Sequence, residues 1–239
     1  METRTEASIL ARLNLDGFAV IPEVYSDREI RALIEVIDAA VLSEDGVMRS
    51  QQRYAIRRIL QQVPDLKLIA MNPMCLRIVN ECLSNDPFVT KSIWFEKPPG
   101  GNWFVGWHQD ISISVSRRAE VPGYSRWTAK HGVVGVVPPI PILERTLTIR
   151  IHLDDADGEN GAVRVMPCSH RSGIVAPPLN DEGSVTCAVP RGGVMLMRPL
   201  LLHASSRSIS NRPRRVLHIE LNDMDLEGGL EWAEQSSLL

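Results

Sequence analysis

This chain lacks a large excess of either positive or negative charge, since 26 basic and 29 acidic side chains leave a formal net charge of −3 at pH 7. Without a basic excess, the sequence offers no electrostatic footprint for a nucleic acid. Long apolar runs are also missing, and none approaches the roughly 20 residues that a membrane-spanning helix needs. The first residues lack the charged-then-apolar pattern of a secretory signal. We therefore expect partners that are neither nucleic acids nor membranes.

Cysteine is sparse as well, and no two of the four cysteines have the C-x-x-C spacing of zinc and redox motifs. The four are Cys75, Cys82, Cys168 and Cys187. The simplest interpretation is that they are small, buried apolar side chains in a reducing compartment. This pattern favours a cytoplasmic protein.

The first third of the chain has helical periodicity. Ser26 and Glu29 have the spacing of a capping box at the start of one predicted helix. Another helical pattern is interrupted at Asn72–Pro73, where a proline can begin a new helix. The predicted elements are helices over 5–14, 26–42 and 63–83 and a short strand over 17–21.

From about residue 88 the pattern changes to short strands separated by Gly, Pro, Asn and Asp. Such a sequence is typical of a mainly β fold, here a double-stranded β-helix (a jelly roll of the cupin kind) buttressed by N-terminal helices. We expect one domain over 1–239, with a mostly helical part over 1–87, a jelly-roll core over 88–221 and a tail over 222–239. The predicted strands are Phe88–Glu96, Trp103–His108, Leu147–Leu153, Ala162–Met166, Val185–Val189, Gly193–Met197 and Arg214–Leu221.

A long segment over 111–145 separates two of these strands. It is too long for a hairpin connection, and loops of that length without secondary structure are usually functional. Because it begins directly after Asp110, we expect a lid loop over a substrate, with a peripheral loop as the alternative. Five basic against two acidic side chains in this segment favour an anionic substrate, unless they are ordinary solvated charges.

Two histidines and one aspartate have the spacing of a metal site. His108 and Asp110 are two residues apart, and His203 follows His108 by 95 residues. Side chains two apart in an extended strand project to the same face, and a second strand can bring in His203. Two imidazoles and one carboxylate on one face of an octahedron are the ligand set of non-haem Fe(II) oxygenases. The sequence therefore predicts an Fe(II) site.

An arginine follows the distal histidine at the start of another strand. After His203 come a polar turn over Ala204–Arg212 and then the predicted strand Arg214–Leu221. A guanidinium can bind a carboxylate with two parallel hydrogen bonds, which a lysine cannot do. We interpret Arg214 as a ligand of a dicarboxylate co-substrate. Because side chains alternate along a strand, Val216, His218 and Glu220 lie on the same face as Arg214.

Four stretches of the chain carry a more specific resemblance: LDGFAVIPEVYSDREI, NWFVGWHQD, LDDADGENGAVRVMPCSHRSG and HASSRSISNRPRRVLHIEL. They resemble the phytanoyl-CoA dioxygenase family of Fe(II)/2-oxoglutarate oxygenases. The resemblance implies that His108, Asp110 and His203 bind Fe(II), with 2-oxoglutarate and O2 as co-substrates. It also implies that Arg214 and Ser205 hold the distal carboxylate of 2-oxoglutarate. Relatives that halogenate lack the aspartate of the triad, so Asp110 indicates a hydroxylase or a related oxidase.

A second cationic residue is expected near the co-substrate. The strand LTIRIHL alternates apolar with polar side chains, so the face that carries Arg150 is expected to line a cavity. Matching the turn Asp157–Gly161 to the D-x-x-N-G turn of the family implies that Arg150 lies near 2-oxoglutarate, with a solvated strand edge as the alternative. Lys91 and Lys97 are candidates for the other carboxylate end of 2-oxoglutarate.

Three polar residues near these motifs are interpreted as structural. Gln109 lies between two ligands, so alternation turns it away from the metal. His170 lies in a turn that follows a strand. His218 lies far along its strand, where packing is the simpler role.

Together with the resemblance, these patterns predict an Fe(II)/2-oxoglutarate-dependent dioxygenase that hydroxylates an unactivated C–H bond of a small molecule and releases succinate and CO2. One alternative is a cupin-like metal enzyme that does not use 2-oxoglutarate, against which Arg214 and Ser205 argue. The other is a non-catalytic jelly-roll binding protein, against which the intact triad argues. Acyl chains, amino-acid derivatives and other small metabolites are equally compatible with the sequence, which carries no signal for an oligomeric state.

Overall fold

A computed structural model describes residues 3–42, 55–97, 104–130 and 132–238. Its helices are α1 (Thr3–Asp16), α2 (Asp27–Leu42), α3 (Ile59–Gln62), α4 (Asp65–Ala70), α5 (Pro73–Cys82) and α6 (Ile140–Glu144). Its strands are β1 (Phe18–Ile21), β2 (Ala55–Arg57), β3 (Phe88–Lys97), β4 (Val105–His108), β5 (Ile113–Val115), β6 (Ser125–Lys130), β7 (Val133–Val137), β8 (Leu147–His152), β9 (Val163–Val165), β10 (Val185–Thr186), β11 (Val194–Met197), β12 (His203–Ser205), β13 (Arg214–Asn222) and β14 (Ser236–Ser237).

The described strands pair antiparallel in three sheets. The main sheet has the order β1-β11-β8-β13-β3-β14, and β2 also pairs with β3. The minor sheet has the order β10-β9-β12-β4, and a third sheet, which we call the cover sheet, has the order β5-β7-β6. A cavity between the three sheets is lined by residues of each. This arrangement confirms the predicted mainly β fold, whereas the assignment of the whole chain to one domain stays a prediction.

The main sheet has one apolar and one polar face, as the alternating sequence predicts. Ile149, Ile151, Leu217 and Ile219 are fully buried on the outer face, in a core shared with the helices. The inner face carries polar side chains toward the cavity, among them Arg150 of β8. The sheet therefore separates a hydrophobic core from a polar chamber.

The helices that cover the outer face begin where the sequence indicates. At α2, the Ser26 backbone N–H donates to the Glu29 carboxylate (2.7 Å), and the Glu29 N–H donates to the Ser26 hydroxyl (3.3 Å), which completes the capping box. At α5, the Asn72 side chain accepts from the backbone N–H of Cys75 (2.8 Å) just before Pro73. None of the described helices has the length and apolar character to cross a membrane.

Several predicted element boundaries are wrong. The strand expected over Val185–Val189 is only β10, since Cys187 leaves the strand to pack in a small core beside the minor sheet. The polar turn expected over Ala204–Arg212 begins later, because β12 extends to Ser205. Cys168 is exposed rather than buried, at a left-handed turn with φ 65°. Trp103 of the expected strand Trp103–His108 lies outside the described residues.

The segment 111–145 is not an irregular loop. It contains β5, β6 and β7 and ends in α6, so the predicted lid is a small sheet with its own buried face. On that face Ile113 pairs in register with Val136, and both pack with Tyr124. The opposite face lines the cavity. The packing of these apolar side chains holds the three strands of the cover sheet together.

The C-terminal segment ties the cover sheet to the main sheet. The Trp232 ring packs in the apolar layer of the cover sheet and meets Phe88 of β3 edge-on at 6.3 Å. The backbone N–H of Ala233 donates to the Ser114 carbonyl (3.0 Å). A few residues later β14 pairs with β3. The tail is therefore part of the wall around the cavity.

Candidate metal centre and the basic pocket beside it

His108, Asp110 and His203 come together at one end of the minor sheet. His108 ends β4 and is the register partner of His203, which begins β12. One Asp110 oxygen lies 3.7 Å from Nε2 of His108, and the other lies 3.5 Å from Nε2 of His203. The potential ligand atoms all lie within 4.8 Å of one another, a spacing that allows all three side chains to hold one metal ion.

Asp110 reaches this site by a different route from the expected one. β4 ends at His108, so Asp110 is not part of a continuous strand. Its backbone N–H instead donates to the carbonyl of Pro199 (2.9 Å), which precedes β12. The strand argument predicts the correct side for the carboxylate, while a contact between distant chain segments fixes its position.

Gln109 turns away from the metal centre, in agreement with its structural interpretation. Its amide nitrogen donates to the carbonyls of Gly173 (2.8 Å) and Leu200 (2.6 Å). Its amide oxygen accepts from the backbone N–H of Val175 (2.9 Å). The side chain thereby joins the segments on either side of the ligand-bearing strands.

Both histidines have the same ring orientation, set by a backbone carbonyl two residues earlier. Nδ1 of His108 donates to the Gly106 carbonyl (2.8 Å), and Nδ1 of His203 donates to the Leu201 carbonyl (2.9 Å). Because a carbonyl can only accept, the proton lies on Nδ1 and the lone pair of Nε2 points toward Asp110. Such outer hydrogen bonds are typical of metal-binding histidines.

The charges in this cluster suit a divalent cation. Burial, reinforced by His108 and partly offset by Asp110, lowers the pKa of His203 to about 4, so the imidazole is neutral and can bind a metal. Burial opposes ionisation of Asp110, but His203, His218 and Lys91 lower the pKa of its carboxyl well below the ordinary value. Two imidazole nitrogens and one carboxylate are a ligand set that fits Fe(II).

A pocket that is rich in positive charge lies beside this centre, and we call it the basic pocket; its members are Lys97, Arg150, Ser205 and Arg214. Arg214 is 6% exposed, and two of its nitrogens, Nε and Nη1, have no hydrogen-bond partner among the described residues. Burial and the charge of Arg150 lower the pKa of Arg214 to about 9. Burying cations without an acid is costly, so the pocket has the charge of an anion site.

The other two members lie opposite Arg214. Lys97 is its register partner on β3 and donates to the Ser205 hydroxyl (3.2 Å) and the Ser206 carbonyl (2.8 Å). The Ser205 hydroxyl donates to the carbonyl of Gly161 (2.8 Å). Burial and Arg214 lower the pKa of Lys97 to about 8. Thus the structure brings together Arg214, Ser205 and Arg150, and it places Lys97 beside them rather than apart from Arg214, at the other carboxylate end, where it was expected.

The D-x-x-N-G turn supports the basic pocket from behind. Asp157 Oδ1 accepts from the backbone N–H groups of Glu159 (2.9 Å) and Asn160 (3.2 Å), and the Asn160 side chain accepts in return from Asp157 N–H (2.9 Å). Gly161 follows with φ 75°. A Cβ at Gly161 would lie 2.5 Å from the Ser206 carbonyl oxygen and 2.9 Å from Lys97 Nζ, so only glycine fits there.

The cavity has a volume of about 620 Å³ and extends from the basic pocket past the metal centre to the cover sheet. Hydroxyls of the cover line its outer part, with Thr128 Oγ1 and Ser112 Oγ on either side of Gly135. The cavity is large enough for a small metabolite together with a co-substrate. The lining also contains Arg57 at the end of β2 and Arg58 directly after it, whereas Arg117, Arg118, Arg126 and Arg145 of the segment 111–145 do not line the cavity.

The sequence did not predict the hydrogen bonds that His218 and Lys91 make on the inner face of the main sheet. His218 lines the cavity and hydrogen-bonds with Arg150 (3.0 Å) and Glu220 (3.2 Å), so its role is not packing alone. Lys91 pairs with Glu220 rather than with the basic pocket. The signal for both was the alternation along β13 and β3, but the sequence does not show which strands are neighbours. His170, in contrast, only bonds to the Asn14 carbonyl, far from the cavity.

The sequence comparisons identify relatives over most of the chain. The sequence model of the family described as phytanoyl-CoA dioxygenase (PhyH) matches residues 13–216. Ectoine dioxygenase from Bordetella bronchiseptica is 20% identical over 245 residues, which cover 88% of this chain and 73% of that protein.

Solved structures share the fold. A non-heme monooxygenase, ThoJ in its apo form, has a TM-score of 0.72 and 17% identity, covering 96% of this chain and 83% of that chain. EctD from S. alaskensis, solved with 2-oxoglutarate and 5-hydroxyectoine, has a TM-score of 0.68 and 19% identity, covering 93% of this chain and 76% of that chain.

Proposed function

Because this chain belongs to the phytanoyl-CoA dioxygenase family of non-haem iron, 2-oxoglutarate-dependent oxygenases, we propose that it hydroxylates an unactivated C–H bond of a small molecule and releases succinate and CO2. The observation that carries the proposal is one cavity with two kinds of site. A His-Asp-His cluster lies beside a buried arginine, two of whose nitrogens have no partner in the part of the chain that the structure describes.

In this proposal His108, Asp110 and His203 hold Fe(II). Their donor atoms are close enough for one ion, and both imidazoles present a lone pair at Nε2. When bound with 2-oxoglutarate and O2, the iron supplies the oxidation that splits the keto acid and hydroxylates the substrate. The protein would contribute these three ligand side chains, held in place by the pairing of β4 with β12 and by the hydrogen bond from Asp110 N–H to the Pro199 carbonyl.

Arg214 and Ser205 are proposed to hold the distal carboxylate of 2-oxoglutarate, and Lys97 and Arg150 add charge around it. The unpartnered Nε and Nη1 of Arg214 offer two parallel donors of the kind that a carboxylate accepts. Binding would bring a counter-charge into a pocket that holds only cations and one hydroxyl. The keto end would then be able to reach the metal centre, since both sites line the same cavity.

The outer part of the cavity supports a small polar substrate. Hydroxyls of Ser112, Ser114 and Thr128 line it together with apolar side chains such as Ile111 and Val133, and a purely hydrocarbon chain would leave these hydroxyls without partners. The proposed substrate is anionic, and the lining cations that favour it are Arg57 and Arg58, since Arg117, Arg118, Arg126 and Arg145 of the segment 111–145 do not line the cavity. An ectoine dioxygenase among the relatives accords with a small polar molecule.

The test is turnover of purified protein with Fe(II), 2-oxoglutarate and O2 across a panel of small polar acids, with succinate and a product heavier by one oxygen atom measured together. We expect both only with substrate and iron, and a chelator should abolish both until Fe(II) is restored. His108→Ala should release no succinate under any condition. Succinate release that continues in His108→Ala or with the chelator would refute the proposal.

A further inference from the structure

Four buried or half-buried polar side chains form a continuous chain across the inner face of the main sheet. Its members, which we call the relay, are Lys91, Glu220, His218 and Arg150. They lie on three neighbouring strands, with Glu220 opposite Lys91 and His218 opposite Arg150 in register. All four line the cavity, yet none is a proposed ligand of the metal.

The hydrogen bonds of the relay have a defined direction. Lys91 Nζ donates to both carboxylate oxygens of Glu220, each at 2.8 Å. Arg150 Nη1 lies 3.0 Å from Nδ1 of His218. A guanidinium can only donate, so Nδ1 must accept and the imidazole proton lies on Nε2. Nε2 therefore donates to Glu220 Oε1 (3.2 Å).

Arg150 depends on this relay for its position. It is 8% exposed, pairs with no acid among the described residues, and its Nε has no hydrogen-bond partner there. It hydrogen-bonds with the His218 ring and lies over the face of Phe95, whose centroid is 5.7 Å from the guanidinium carbon. A long side chain held by so few groups loses its orientation when one of them is removed.

The other end of the relay reaches the cover. Lys91 Nζ also donates to the backbone carbonyl of Ser112 (3.2 Å), one residue before β5. A change in the position of the cover segment would therefore act on Lys91 and Glu220 before it reached the basic pocket. The relay thus spans the distance between the proposed substrate and co-substrate sites.

A second metal ion is a poor alternative for this cluster, although Asp110, His218 and Glu220 also have ligand atoms within 4.8 Å of one another. The Lys91 ammonium already occupies both oxygens of Glu220. Arg150 occupies the acceptor nitrogen of His218. The cluster therefore holds cationic side chains where a metal would need free donors.

We propose that Glu220 and His218 are positioning residues, which hold Arg150 against bound 2-oxoglutarate and connect it through Lys91 to the cover. The inference rests on the proposed function. It implies that His218, which donates nothing to the co-substrate itself, still determines the affinity for 2-oxoglutarate.

The test compares dissociation constants of 2-oxoglutarate, measured by anaerobic absorbance titration of the Fe(II)-loaded proteins. We expect His218→Leu to raise the constant at least about tenfold, the size of one lost hydrogen bond to a charged group. His218→Gln, whose amide can accept from Arg150 and donate to Glu220, should stay within about threefold of wild type. The matched control is Thr148→Val, a buried residue on the same strand as Arg150 and opposite Glu220, which does not line the cavity. Its hydroxyl has no hydrogen-bond partner among the described residues, so this substitution should change nothing.

A wild-type constant in His218→Leu, or an equal loss in His218→Leu and His218→Gln, would overturn the proposal, since the second result indicates packing alone. If His218→Leu does not fold, Glu220→Gln carries the same test, because it keeps the shape of the relay and removes its negative charge. Failure of the wild type itself to bind 2-oxoglutarate would instead overturn the proposed function.

Discussion

Arg214 combines deep burial with unmet hydrogen-bonding capacity. An unpaired buried cation destabilises the folded chain, and a carboxylate from a ligand offsets that cost. The same residue should therefore lower the stability of the unliganded protein and raise its affinity for 2-oxoglutarate. Such a local loss of stability is common at binding sites, where the ligand supplies the partner that the folded chain lacks.

Replacing Arg214 by methionine separates these two effects. We expect Arg214→Met to raise the dissociation constant of 2-oxoglutarate by about 100-fold, as expected for the loss of a bidentate charged contact. The free energy of unfolding without ligand should stay equal or rise by about 1 kcal/mol. Equilibrium denaturation and 2-oxoglutarate titration measure both quantities on one preparation.

The neighbouring Arg215→Met is the control, because Arg215 lies on the other face of β13 and binds the Asp154 carboxylate at 2.7 and 2.9 Å. It should lose stability, by about 1 kcal/mol after allowance for solvent screening, and keep its affinity for 2-oxoglutarate. Equal behaviour of the two variants would contradict the distinction drawn between the two arginines.

The proposed iron ligands and Arg214 could be found from the sequence because their spacing is a motif and alternation gives the face of a strand. Alternation also places Glu220 beside His218, two residues along the same strand. Arg150 could not be found in that way, because it meets His218 from β8, 68 residues earlier, and the whole sheet decides which strands pair. Glu234 of the tail, which accepts from the Ser92 N–H (3.0 Å) and lines the cavity, gave no signal for the same reason.

At the scale of elements, the turn Asp157–Gly161 holds the rear of the basic pocket. Substituting Gly161 by alanine forces a side chain into the left-handed region and against Ser206 and Lys97. We expect Gly161→Ala to lower the free energy of unfolding by about 1–3 kcal/mol and to weaken 2-oxoglutarate binding, since Ser205 bonds to the Gly161 carbonyl.

Gly158 in the same turn provides the comparison. A Cβ there would meet nothing within 4 Å, and its φ lies outside the left-handed region. Thermal unfolding and 2-oxoglutarate titration of Gly158→Ala should match the wild type within error. A Gly161→Ala protein with wild-type stability and affinity would show that the turn does not support the pocket.

The cover sheet shows where element prediction failed. Ile113 and Val115 alternate with Ser112 and Ser114, a period of two that indicates a strand. The strands are short, however, and β6 is separated from β5 by a turn that contains proline and glycine. The length of the segment 111–145 therefore suggested a loop. The alternation predicted the structure better, because Ile113 and Val115 bury one face of β5 in an apolar layer with Val136.

At the scale of the whole molecule, the C-terminal segment closes the wall between the cover and main sheets. Trp232 is 6% exposed and is shared by both. We expect Trp232→Ala to lower the free energy of unfolding by about 3 kcal/mol or more, as for other large buried aromatic residues. Chemical denaturation measures the loss, and substrate-dependent turnover should fall with it because the cover loses its anchor.

Glu231→Ala tests whether the effect belongs to the ring. Its side chain is exposed, while its backbone carbonyl accepts from Ser116 N–H (2.9 Å) and is kept in the variant. The stability of this variant should lie within about 0.5 kcal/mol of wild type. If Trp232→Ala proved equally harmless, the tail would not be the anchor described above.

The central claim is that one iron ion and one 2-oxoglutarate meet in a cavity built by His108, Asp110, His203 and Arg214. Anaerobic titration of the Fe(II)-loaded protein with 2-oxoglutarate tests it most directly, because a keto acid that chelates the ion produces a visible charge-transfer absorbance. The account predicts a band that saturates at one 2-oxoglutarate per chain, requires more co-substrate in Arg214→Met and is lost in His203→Ala. An iron-loaded wild-type protein without such a band, or a His203→Ala protein that keeps both iron and band, would contradict it.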